Sequence, residues 1–171
     1  RGRTWAYNER GSHSGFNIVR YHLAMRGLDE NFFGRIVESG SHRNSLQMVL
    51  QRSIDTAAID SSVLEFEGAK NPAISGQIRT VAILGPSPAP PWVVHRSVSG
   101  DMQKTLRDIF LSINEHSKGR AILEAGRMLR FAPVSNHDYD QIRETDRIAN
   151  AAHLTHAKIS SPGYPVSITK R

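Results

Sequence analysis

The chain has 171 residues, 39% hydrophobic and 22% charged, a globular composition that suits one ordinary domain or two small lobes and excludes a disordered polymer. It has no cysteine, which excludes disulfides, thiolate nucleophiles and cysteine-bound zinc. The formal charge is +6, yet Lys and Arg are interleaved with Asp and Glu and aromatic residues are 7%. That pattern reads as a solvated surface that would attract a small anion, and it argues against a nucleic-acid footprint.

No apolar run approaches the roughly 20 residues that span a bilayer. No leading apolar segment with a basic flank marks a signal peptide. The chain opens on Arg1-Gly2-Arg3-Thr4-Trp5, which reads like the interior of a longer protein.

Taken in order, Thr4 to Asn8 predicts a short strand rich in β-formers. Gly11 to Gly15 is a loop with Ser14 as the expected helix cap, and Phe16 to Arg26 follows a helical period that stops at Gly27. Phe32 to Val37 ends in a second strand, Ser41 caps a helix to about Arg52, and Asp55 to Asp60 is a third strand. Ser62 and Glu65 have capping-box spacing and open the next helix. Arg79 to Leu84 predicts a strand, Gly85 to Pro91 a stiff crossing with four prolines, and Trp92 to His95 a further strand. Helices follow from Ser99 to about Asn114, from Ser117 through Leu129, and from Asp138 to about His153. Phe131 to Val134 is extended, and the stretch through Pro165 has no period and reads as a tail. Trp5 and Trp92, with Phe32, Phe33, Phe110 and Phe131, are assigned to the core.

Strand, loop and helix thus alternate three times, which predicts an α/β fold with a mostly parallel sheet and flanking helices. In open sheets of this kind, ligands sit at the carboxyl ends of the strands, where helices begin. Ser12-His13-Ser14, Ser41-His42 and Asp60 to Ser62 all fall in such places. Helix starts carry unpaired N–H groups and partial positive charge, so hydroxyls and imidazoles added there predict a pocket for an anionic or strongly polar ligand.

These phrases, in this order and spacing, resemble the phosphonate/phosphite-type periplasmic substrate-binding proteins of ABC transporters, which have the type 2 periplasmic-binding-protein fold. The resemblance is carried by residues 1 to 8, Ser12 to Gly15, Ser39 to His42 with Ser45-Leu46, and Asp55 to Asp60. The Gly85 to Pro91 crossing, Gly119-Arg120, and Tyr139 with Ile142-Arg143 complete it. It covers roughly residues 1 to 145, and it implies that two α/β lobes close on a ligand held between them. It places Ser12, His13, Ser14 and His42 on the phosphonate oxygens and Asp60 at the cleft, with Tyr7 beside the loop and Ser41 and Ser87 as further contacts. It implies a solute-binding role for a small oxyanion such as phosphonate, phosphite or phosphate, a permease partner, a periplasmic location and no cofactor. The expected organisation is a second-lobe domain over 1–85, a helical part over 86–153 that returns to the first lobe, and a tail over 154–171. The first lobe would be incomplete, and a homodimer would cover its apolar face.

Two departures matter. His13 stands where phosphonate binders often carry a smaller hydroxyl residue, and the Pro-rich crossing has no acid to hold the ammonium of an aminophosphonate.

Other readings use the same residues. The Ser-His phrases could be simple caps with incidental histidines. His42, Asp60 and a nearby serine could form a hydrolase site, although Gly-x-Ser-x-Gly does not occur. A cytoplasmic sensor could carry the same pocket. The eight histidines are dispersed, with His153 and His156 the one close pair, which argues against a metal site.

Overall fold

The computed structural model describes residues 1–152, which fall into two units: Arg1–Gly85 with the residues from Ile142 onward, and Pro86–Gln141. The first unit is built on three parallel strands, β1 (Thr4–Tyr7), β2 (Arg35–Glu38) and β3 (Thr56–Ala57), in the order β2-β1-β3. Thr4 to Tyr7 pair in register with Arg35 to Glu38, and Trp5 and Ala6 pair with Thr56 and Ala57. Parallel strands need crossovers, and helices supply them: α1 (Ile18–Ala24) follows β1, α2 (His42–Leu50) follows β2, and α3 (Ser61–Lys70) follows β3. The result is a mixed α/β fold with a small parallel sheet and flanking helices.

β1 is the central strand, and its side chains alternate between two buried faces. On one face Trp5 and Tyr7 pack with Phe16 and Ile36, with Val19 and Phe33 against them. The Trp5 ring stacks on Phe16 at 5.8 Å and on Phe33 at 4.9 Å. On the other face Ala6 and Val37 are buried, as is Leu46 of α2. Full burial of each large side chain contributes about 1.5–3 kcal/mol.

The helix ends explain where the elements stop. Gly27 has φ +62°, and Leu28 and Gly27 donate back to the carbonyls of Leu23 and Ala24, a Schellman closure of α1. α2 closes in the same way on Arg52 (φ 58°), with Ser53 and Arg52 donating to Met48 and Val49.

Several sequence expectations are corrected. Ser12, not Ser14, caps the first helix, because the chain enters it through a π-helical turn (His13–Asn17) that starts earlier. Asp60, not Ser62, caps α3, its carboxylate accepting from the Ser62 amide. The segments 79–84 and 92–95 form no strand, and Val81, Ile83, Trp92 and Val93 are exposed. Their alternation is strand-like, but among the described residues no strand lies beside them to complete a ladder. Trp92 is therefore not core, and Phe32, Phe33, Phe110 and Phe131 are half-buried.

In the second unit, α4 (Gly100–Ser112) begins at its expected cap, Ser99, and α5 (Ser117–Ala125) follows. Trp92 packs with Phe110 and Phe131 at ring distances of 4.8 and 5.3 Å. The Tyr139 hydroxyl donates to the Ala89 carbonyl and ties down the Pro-rich stretch. Helix α6 (Asp140–Ala151) belongs to the first unit from Ile142 onward. Among the described residues no helix is long and apolar enough to cross a membrane. The tail over 154–171 and the His153/His156 pair lie outside the described residues.

Candidate functional site

Because the three strands are parallel, their carboxyl ends share one edge of the sheet, and the loops leaving them meet there. The strand order also places a switch point at that edge. The chain goes from β1 to one side and then returns to the other side as β3, and ligands of open α/β sheets bind where this reversal opens a crevice. The loop after β1 carries Ser14 and the loop after β3 carries Asp60.

The π-helical turn decides what Ser14 can do. Ser12 Oγ accepts from the Gly15 amide at 3.1 Å, and the Ser12 carbonyl accepts from the Asn17 amide at 3.0 Å, so the capping work is complete without Ser14. The Ser14 hydroxyl instead lies 3.2 Å from His42 Nε2, and both groups help to hold the Asp60 carboxyl ionised. Extra-wide turns of this kind are frequent where a functional side chain must be re-aimed.

His42 is the first residue of α2, behind its cap Ser41, whose Oγ accepts from the Asn44 amide at 3.0 Å. Asp60 also accepts from the Ser62 hydroxyl at 2.6 Å. Burial pushes the Asp60 carboxyl up, but the hydrogen bonds from Ser62 and Ser14 and the charge of His42 outweigh it and hold the group below its ordinary value. An ionised Asp60 accepts only. His42 Nδ1, on the other side of the ring, is buried with no hydrogen-bond partner among the described residues.

A second polar atom converges on the same spot. Asn8, at the end of β1, is 9% exposed, and its Oδ1 has no hydrogen-bond partner among the described residues. Asn8 Oδ1 and His42 Cε1 both lie over Gly15, so closely that a side chain at Gly15 would collide with Asn8. Asn8 was not among the sequence candidates, although its position just past a strand end carries the same signal as Ser12.

A comparison with protein families bears on the chain as a whole. A model described as ABC transporter, phosphonate, periplasmic substrate-binding protein matches residues 1–139. The chain belongs to this family.

The fold of the chain is also similar to that of a solved structure, XAC2383 from Xanthomonas citri bound to ATP. Its TM-score to this chain is 0.63 at 19% identity over 89% of the chain, and the chain spans 60% of the length of that protein. At this identity the likeness concerns the fold.

Within that fold the sequence candidates separate. Ser14, His42 and Asp60 come together, with Ser12 and Ser41 serving as the caps that orient them. His13 lies in the same turn, half-buried, and burial pushes its imidazole below its ordinary value against the opposing charge of Asp146. Tyr7 is 1% exposed, and its hydroxyl donates to Glu38 Oε2 at 3.0 Å. Burial first, then Glu38, raises the Tyr7 pKa. Ser87 is exposed and belongs to the second unit. Among the described residues no group of three or more His, Asp or Glu side chains is placed to hold a metal ion.

Proposed function

We propose that the protein is a solute-binding protein for a small phosphorus oxyanion, with phosphonate, phosphite and phosphate as the ligand class, delivering it to an ABC transporter permease outside the cytoplasm. The observation that carries this reading is the gathering of Ser14, His42 and Asp60 at the strand ends, beside two helix starts. His42 and the helix starts offer donors and positive charge to an anion.

Asp60 narrows the ligand. A carboxylate beside an oxyanion is repulsive unless the ligand itself carries a hydrogen to donate. Singly protonated phosphate and methylphosphonate carry one, and sulfate at neutral pH carries none. A half-buried carboxylate at the site disfavours an anion that has no hydrogen to donate to it.

Calorimetric titration of phosphate, phosphite, methylphosphonate and sulfate tests the reading, with ATP, held by the solved neighbour, in the same series. The expectation is binding of the phosphorus oxyanions at least about tenfold tighter than sulfate. Ser14→Ala and His42→Ala should each weaken it by about 10- to 100-fold. No binding by any of these ligands, or sulfate equal to phosphate, would overturn it.

A hydrolase reading gains no support from the same geometry. In a catalytic triad the acid orients the base through its second ring nitrogen. Here Asp60 accepts from Ser62, and His42 Nδ1 has no bond to it. We further propose that a second copy of the chain covers the exposed apolar side chains of the second unit, among them Trp92, Val93, Ile122 and Leu129.

A further inference from the structure

We propose that helix α6 is a working part of the anion site: Asp146, acting through Asn17, is a positioning residue for the turn that carries His13 and Ser14. The proposal rests on the oxyanion reading for its binding consequence and on geometry for the rest. α6 begins at Asp140, just beyond the residues 1–139 that the family match covers, so that match does not account for it.

Asn17 closes the π-helical turn, its backbone N–H bonded to the Ser12 carbonyl. Both ends of its side-chain amide are engaged: Nδ2 donates to Asp146 Oδ1 at 2.8 Å, and Oδ1 accepts from Arg20 Nη1 at 3.0 Å. Arg20, 2% exposed, continues into α6, donating to Asn150 Oδ1 at 3.0 Å and to the Ala149 carbonyl at 2.7 Å. Its guanidinium also lies over the Phe16 ring, 4.8 Å from the centroid. Ala149 and Thr145 are buried at this contact, and Asn17 is 7% exposed.

An apolar seam would hold two helices together as well. A buried guanidinium costs desolvation unless its bonds and its charge are answered. What the network adds is direction, because Asn17 Nδ2 and the two terminal nitrogens of Arg20 bond acceptors fixed on α6 and the turn, while Arg20 Nε stays buried without a partner among the described residues. Asp146 also supplies the negative charge nearest in effect to His13, opposing the burial that disfavours its protonated form. Of the other charged groups, Arg10 and Asp146 act on Arg20, while Asp60 and His42 reach the turn through Ser14.

The test uses Asp146→Asn, Asn17→Asp and the swapped double variant. Two readouts are taken on protein shown to be folded: the NMR titration of His13 without ligand, and the Kd for inorganic phosphate. Asp146→Asn should lower the His13 titration midpoint and weaken phosphate binding about tenfold at pH 7. Asn17→Asp sets two carboxylates face to face and should weaken binding further, and the swap restores a donor–acceptor pair and should bring Kd back to within about threefold. If the single variants lower thermal stability but leave both His13 and Kd unchanged, α6 is a structural clasp and the proposal falls. Should Asn17→Asp fail to fold, the isosteric Asp146→Asn decides. If the native protein binds no phosphate, the oxyanion reading fails, and the His13 titration still decides the role of Asp146.

Discussion

At the scale of single residues, the site works through division of labour between neighbouring hydroxyls. Ser12 and Ser14 are two positions apart and chemically identical, yet one caps a turn and the other bonds the His42 imidazole. Spacing alone reads Ser14 as the cap, because a sequence does not display that the turn is wound one residue wider than an α-helix. The histidines carry a testable consequence. Burial holds the His13 pKa below its ordinary value of 6.5 in the folded chain, so between the two values the unfolded state binds more protons. The His13 contribution to stability is therefore present above pH 6.5 and is lost as pH falls from there through the folded-state value. Asp60, held below the ordinary carboxylate range, loses its contribution only at far lower pH. Thermal midpoints without ligand should accordingly fall between pH 7.5 and 5.5, and His13→Gln should flatten that fall. An identical pH profile in the variant would contradict the assignment.

At the scale of elements, what could be read locally was legible. The cap at Ser41, the cap at Ser99 and the stop at Gly27 are local hydrogen-bonding facts, and the structure has all three. The strand–loop–helix alternation and the strand-end placement of Ser14, His42 and Asp60 follow from the same local chemistry. Long-range pairing was not legible. The run Arg79 to Leu84 alternates as a strand does, but a strand exists by virtue of its neighbour, and Val81 and Ile83 are left exposed. Arg20 illustrates the opposite error: a cation in an amphipathic helix reads as solvated, whereas here it is buried against α6, about 130 residues further on. That link sets the π-helical turn. A site legible as three short phrases is held by a fourth element that no phrase announces.

At the scale of the whole molecule, the charge of +6 and the strand-end cluster point the same way, toward a small anion. Trp92, Val93, Ile122 and Leu129 of the second unit are exposed apolar side chains that a partner would cover. If that partner is a second copy, light scattering at micromolar concentration should give twice the 19.0 kDa chain mass. A monomeric mass there would contradict that proposal and leave the anion site untouched. The central claim is that the carboxyl edge of the sheet holds a phosphorus oxyanion. Its most direct test is a backbone-amide NMR titration with methylphosphonate. The account predicts saturable shifts concentrated at Ser12 to Gly15, His42 to Asn44 and Asp60 to Ser62, with the midpoint moved about 10- to 100-fold higher by His42→Ala. Saturable shifts centred elsewhere, or none at millimolar ligand, would contradict it.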